Sequence, residues 1–342
     1  MSVAQVVHSL LKTLRYLWLR LLRKLGVAFG QGFLINPVYV VNRKDNTVSV
    51  IDSAARAVVV TVPVGDEPRC VAITPDGTAA FVTNFGSGNL SVIDTSSNTV
   101  VATVPVSRQP FGIAITPDGT KAYVTLPNDN KVAVIHLLRG NGVLGGFIDV
   151  GSIPVQVAVT PNGKSAYVTN FGSNNASMID TATDKVVATV NLAVLGPGAT
   201  PWGIAITPDG VHAYVACPGV GNTMQIEITN NNKVNAKLWF DTPLGQCWAV
   251  GIVTVIPPNQ FHVYITELLN NGVDVLADQD FSFVDWVAAD VGPVGVAIMP
   301  NQANVYVTCA FTNKVVLIDT KSIKVIDSIQ VGKLPFGIAI KP

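Results

Sequence analysis

Residues 36–342 predict an all-β fold: a seven-bladed β-propeller with four-stranded blades, closed by the C-terminal strand and preceded by an amphipathic helix within residues 1–35. Three observations carry this reading. One anchor motif recurs at a nearly fixed period, each period holds four short strand signals, and the two ends of the repeat region are truncated in complementary ways.

The first 35 residues differ from everything after them. No Asp or Glu precedes Asp45, while Lys12, Arg15, Arg20, Arg23 and Lys24 are all basic. Val7, Leu11, Leu14, Trp18, Leu21 and Leu25 recur at alternating spacings of four and three, which places them on one stripe of a helix over about residues 3–25. Gly26, Gly30 and Gly32 end it. A membrane span needs about 20 mostly apolar residues, and the cations interrupt this one. Arg15 and Arg20 likewise cut the apolar run that a secretory signal needs. Cations opposite a Leu/Trp face suit an anionic membrane surface. The same stripe suits packing on a partner helix or on the chain's own propeller, and these readings stay open.

The anchor is Pro-x-Gly-(Ile/Val)-Ala-(Ile/Val)-Thr-Pro-(Asp/Asn)-Gly. It is intact at 110–119 and 201–210, carries Cys70 for the glycine at 68–77, and carries Gln156 there at 154–163. Weaker copies begin at Cys247 and Pro293, and a last one runs from Pro335 to the end, so the starts lie 42 to 47 residues apart. The anchor gives the first strand, such as Phe111–Ile115, rich in β-branched residues. Pro117-Asp-Gly is a turn, Ala122-Tyr-Val-Thr a second strand, Leu90-Ser-Val-Ile-Asp a third, and Thr99–Val104 a fourth after the turn at 95–98. Four antiparallel strands make a blade, and a lone blade leaves both faces wet, so blades must stack. The first period starts at the second-strand position, Pro37–Val41, and the last stops after an anchor strand, Phe336–Ile340. Each truncation supplies what the other lacks, and a ring removes open edges.

The repeats resemble the YVTN family of β-propeller repeats. The resemblance rests on Tyr167-Val-Thr-Asn, Phe81-Val-Thr-Asn, Tyr306-Val-Thr, Ser91-Val-Ile-Asp-Thr and Val100-Val-Ala-Thr-Val. It covers nearly all of residues 36–342. It implies the propeller fold and the company of surface-layer and envelope proteins, with lactonases and a streptogramin-type lyase among related propellers. No catalytic motif carries over.

Composition bounds the function. Apolar residues are 49% and charged residues 13% of the 342, against about 25% charged in ordinary globular chains. That argues against disorder. Lys and Arg (22) balance Asp and Glu (22), which argues against nucleic-acid binding by bulk electrostatics and favours self-association. Cys70, Cys217, Cys247 and Cys309 form no metal-ligand pattern and read as buried apolar residues. A Cys217–Cys247 bridge is the one pairing the repeats bring to a common face.

Ligands reach a propeller around the channel mouth, on the face bearing the second-to-third and outer-to-inner loops. Phe111, Trp202, Trp248 and Phe336 share one anchor position there, joined by Arg69, Arg108 and Glu267. Their functional reading is an aromatic rim that stacks on a ligand or anchors a partner; the competing one is packing between blades. His8, His136, His212 and His262 do not converge with carboxylates, so no metal, cofactor or general base is expected, and His212 and His262 are expected in solvent. The sixth period, Cys247 to Asp290, departs most from consensus and marks the first place to seek a partner.

The reading is therefore a non-enzymatic binding or docking propeller, with a protein partner or a second copy as its ligand. Leu11, Leu14, Trp18, Leu21 and Leu25, with Arg15, Arg20 and Arg23, tether it to a membrane surface or assembly, at the cell envelope or surface. The alternatives are a lactonase- or lyase-like enzyme at the channel mouth, a carbohydrate- or peptide-binding propeller, and a cytoplasmic location.

Overall fold

A computed structural model of the protein describes residues 36–138, 141–195, 198–236, 247–255, 260–277 and 282–342, with the side chains of 195, 235–236, 247–255 and 260 excepted. The expected helix at 3–25 lies outside the described residues.

Seven four-stranded antiparallel sheets succeed one another along the chain. The outermost strands in chain order belong to one sheet: Pro335–Ile340 is the inner strand of blade 1, with Val38 opposite Ile340 and Tyr39 opposite Ala339. Blades 2 to 7 run inner to outer in chain order, beginning at Pro68, Ile113, Pro154, Ile204, Cys247 and Pro293.

Burial explains the sequence pattern of each strand. Second strands such as Ala79–Asn84 and Ser165–Asn170 are buried nearly end to end, because a neighbouring blade covers each face. Outer strands are exposed except near their ends, where Val62, Val104, Ile148, Val190, Val287 and Ile329 turn inward. The core is correspondingly a series of layers between blades. One joins Phe81, Leu90 and Val92 of blade 2 to Val124, Ala133 and Ile135 of blade 3. Another joins Val273 and Val275 of blade 6 to Val305, Val307 and Val316 of blade 7. Full burial of each such apolar side chain is worth about 1.5–3 kcal/mol.

A β-bulge interrupts the third-to-outer pairing in blades 1, 2, 3, 4, 6 and 7, for instance between Val92 and Ile93. A bulge twists an exposed edge away from pairing, which offsets the aggregation risk of outer strands such as Thr99–Pro105 that leave Val100 and Val101 in water.

The Tyr-Val-Thr-Asn motif has a separate task for each polar residue. Tyr39 donates its hydroxyl to Asn98 Oδ1 at 2.7 Å, and Tyr123 to Asp184 Oδ1 at 2.6 Å, each in the outer turn of the next blade. Tyr167 does the same to Asn232. The threonine hydroxyl donates to the anchor carbonyl of the next blade: Thr83 to Phe111 O (2.7 Å), Thr125 to Val155 O (2.7 Å), Thr169 to Trp202 O (2.6 Å) and Thr308 to Phe336 O (2.8 Å). The asparagine works within its blade. Asn42, Asn84 and Asn170 each donate Nδ2 to a third-strand serine (Ser49, Ser91, Ser177) at 2.8–2.9 Å. The motif thus ties second strand to third strand within a blade through the asparagine, and blade to blade through the tyrosine and threonine hydroxyls, whose acceptors lie on the next blade.

Candidate functional site

The anchor glycines bring the inner strands close. A Cβ on Gly112 would stand 2.4 Å from Val155 O, one on Gly295 2.3 Å from Phe336 O, and one on Gly337 2.5 Å from Arg69 O. The residue before each glycine is therefore held at the channel mouth on the loop face.

There, three of the anchor aromatics meet across the channel axis. The Phe111 ring packs edge-to-face on Trp202 at 5.5 Å and on Phe336 at 5.8 Å, although these residues belong to blades 3, 5 and 1. Phe85 and Phe171 extend the cluster from the second-to-third loops, to Phe111 at 6.3 Å and Trp202 at 5.7 Å. Such pairs add about 0.5–1.5 kcal/mol each beyond area burial. The rings fill one another's edges, and Phe111 is only 6% exposed. They form a plug across the mouth where the sequence led us to expect a rim.

Arg69 completes the plug. Its guanidinium carbon sits 4.3 Å from the Phe85 ring centre, 5.5 Å from Phe111 and 6.0 Å from Phe336, in cation–π geometry. Burial, then the nearby Arg43, lowers its pKa to about 10, so it stays charged at neutral pH. Glu67 faces both cations, at 3.2 Å from Arg69 and 3.6 Å from Arg43. The mouth so presents two guanidinium groups to one half-exposed carboxylate.

Behind the plug lies a cavity of about 180 Å³, lined by inner-strand residues including Cys70, Gln156, Trp202, Val294 and Phe336. Cys70 and Gln156 replace the anchor glycine in blades 2 and 4, and Gln156 Nε2 donates to Cys70 Sγ at 3.3 Å across the channel. Burial pushes the Cys70 thiol up to about 11, outweighing the bond from Gln156, so it remains protonated.

The other expected residues are scattered. Arg108 is exposed on the loop after blade 2. Trp248 lies on the inner strand Cys247–Val255, its side chain outside the described residues, as is that of Cys247. Cys217 and Cys309 are buried free thiols. Glu267 does not join the mouth: it is 3% exposed and accepts a hydrogen bond from Asn270 Nδ2 at 2.6 Å. His212 opens the second strand His212–Cys217 and His262 lies third in Gln260–Glu267; both are half-buried, which corrects their expected place in solvent, because they belong to paired strands and not to the preceding turns. Burial lowers the His262 pKa. Among the described residues no group of three His, Cys, Asp or Glu is placed to hold a metal. Asp274, which hydrogen-bonds Glu267, escaped the sequence reading. Aligning the repeats could have found it, since the two carboxyls stand where blades 1, 2 and 4 carry asparagine and serine.

A ring of seven four-stranded blades with a plugged mouth defines a β-propeller repeat protein. The profile of the YNCE-like β-propeller family matches residues 28–147, and this match together with the seven blades fits a propeller repeat protein of the YVTN type. No curated protein sequence matches it significantly. Among solved structures it is similar to Kuenenia stuttgartiensis hydrazine synthase, at 23% identity and TM-score 0.74 over 86% of this chain and 99% of that one. It is similar to the periplasmic gluconolactonase of Pseudomonas aeruginosa, at 17% identity and TM-score 0.72 over 90% and 99%. A Staphylococcus aureus virginiamycin B lyase follows at 14% identity and TM-score 0.65 over 82% and 94%. Likeness at these identities shows the fold alone.

Proposed function

We propose that this chain is a non-enzymatic docking propeller, whose loop face receives a protein partner and whose segment 3–25 tethers it to a membrane surface or larger assembly. The observation that carries the reading is the plugged mouth: five aromatic rings and Arg69 spend their surfaces on one another, which leaves a rigid face instead of an open reaction chamber. Apolar side chains stand out on the same face of blades 6 and 7, with Leu269 59%, Val291 44% and Phe311 60% exposed. Exposed apolar groups rimmed by polar loops are a usual mark of a protein-binding surface. These exposed residues sit on or beside the period that departs most from consensus.

The test has two arms. Deleting residues 1–32 should abolish sedimentation with anionic vesicles or reduce oligomer size, and a chain unchanged in both refutes the tether. Leu269→Ser with Phe311→Ser should weaken self-association or partner capture at least tenfold with little change in melting temperature; unchanged association refutes the face. The competing reading, a lactonase- or lyase-like activity at the mouth, draws on the fold shared with such enzymes. Turnover of a sugar lactone that is lost in Arg69→Met would favour it.

A further inference from the structure

We propose that the ring opens first at the junction of blades 6 and 7, where a tyrosine hydroxyl that closes other junctions faces a turn with no acceptor for it.

The repeats supply the internal comparison. Where Tyr39, Tyr123 and Tyr167 reach the next blade they meet Asn98, Asp184 and Asn232, each the last residue of the turn between third and outer strand. All three acceptors hold positive φ, at 52°, 54° and 57°, a conformation that Asn and Asp tolerate. In blade 3 a second group joins the tyrosine. Lys121, two residues before it, donates to Thr181 O at 2.9 Å and to Asp184 Oδ2 at 2.7 Å.

Blade 6 keeps the donor positions, and blade 7 lacks the acceptor. Tyr264 occupies the tyrosine position in Gln260–Glu267, and His262 stands two residues before it. The turn position equivalent to 98, 184 and 232 is Ile323, a branched residue held at φ 51°. Ile323 packs on the apolar layer that contains Tyr264, so the two segments meet as they do elsewhere. An alkyl chain accepts no hydrogen bond. The polar groups of that turn are engaged within blade 7: Asp319 Oδ1 accepts from the Ser322 N–H and hydroxyl at 2.8 Å, and Thr320 donates to Gln302 O at 2.7 Å. The Tyr264 hydroxyl and His262 Nδ1 are sealed from solvent without a hydrogen-bond partner among the described residues.

A buried polar group without a partner forfeits the hydration it has in water. Parting the blades here breaks no tyrosine bond and lets water reach both groups, so opening is favoured relative to the same motion at the junctions that Tyr39, Tyr123 and Tyr167 close. Thr266 keeps the motif hydroxyl that in other blades reaches the next inner strand, so blade 6 swings on its channel side and parts from blade 7 at the rim. Phe283, Val284 and Trp286 on the outer strand of blade 6 and Val325 and Ile326 on that of blade 7 already stand exposed, so the motion uncovers little further apolar surface there.

Hydrogen–deuterium exchange of the full chain, read by mass spectrometry, tests this. Peptides from the second and third strands of blade 6 (260–277) should exchange about five- to tenfold faster than those of blade 4 (165–180), roughly the factor that one net hydrogen bond supplies. Ile323→Asn, which places an acceptor at the turn, should slow the blade 6 peptides by a similar factor and leave blade 4 unchanged. Adding Tyr264→Phe should remove that gain. Tyr264→Phe alone should leave blade 6 unchanged or slower, whereas Tyr167→Phe should speed blade 4. Should Ile323→Asn fail to fold, the contrast between the two Tyr→Phe variants decides. The proposal is overturned by a blade 6 that exchanges no faster than blade 4, or by an Ile323→Asn effect that is absent, equal in every blade or insensitive to Tyr264→Phe. It is equally overturned if Tyr264→Phe speeds blade 6 as Tyr167→Phe speeds blade 4.

Discussion

Thr125→Val isolates the bond that holds blade to blade. The Thr125 hydroxyl accepts from Gly112 N–H at 2.7 Å within blade 3 and donates to Val155 O at 2.7 Å in blade 4. Thr125 is fully buried, so no water replaces either partner. Valine keeps the shape and removes both bonds. Each of the two stranded backbone groups costs about 1–3 kcal/mol, and the added methyl recovers roughly 1 kcal/mol, so a net loss of about 1–5 kcal/mol is expected. Thr125→Ser keeps the hydroxyl and loses only a methyl group, for about 1 kcal/mol. Urea unfolding followed by circular dichroism gives both values in one series, with an unchanged slope certifying that the denatured state is the same. If Thr125→Val unfolds within about 0.5 kcal/mol of wild type, or no worse than Thr125→Ser, the inter-blade bond is not what holds this junction.

Two further outcomes follow from the same geometry. Gly112→Ala should cost about 1–3 kcal/mol by overpacking, since the new Cβ meets Val155 O at 2.4 Å and two backbones must part; equal melting temperatures for both chains would refute the close approach. Hydroxyl bonds to the turn carboxylates, from Ser96 to Asp94, Thr74 to Asp76 and Thr116 to Asp118, hold their pKa values below the usual 3.8. Their contribution is present above the ordinary carboxylate value and disappears as pH falls through the lowered values, so melting temperature should drop steeply below about pH 4, and Asp94→Ala should shrink that drop.

The ring and its blade count are written in local chemistry: alternation sets the strands, Asp/Asn-Gly pairs set the turns, and a period near 45 residues repeats the unit. The roles of Tyr, Thr and Asn in the motif could be inferred in kind, since buried polar groups at a fixed address need partners at a fixed address. The mouth was different. Four aromatics at one repeat position suggested a rim, yet whether they splay or converge depends on the distance across the axis between blades that are not neighbours. That distance is set by how closely Gly112, Gly295 and Gly337 let the inner strands pack. Arg69 looked like one loop cation among several, and only the convergence of Phe85, Phe111 and Phe336 buries it. Glu267 lay in plain view as a break from consensus, but its meaning came from Asp274 on the adjoining strand. Sequence periodicity fixes which residues occupy equivalent positions; the closing of the ring decides which of them touch, because contacts across the channel join residues from separate repeats.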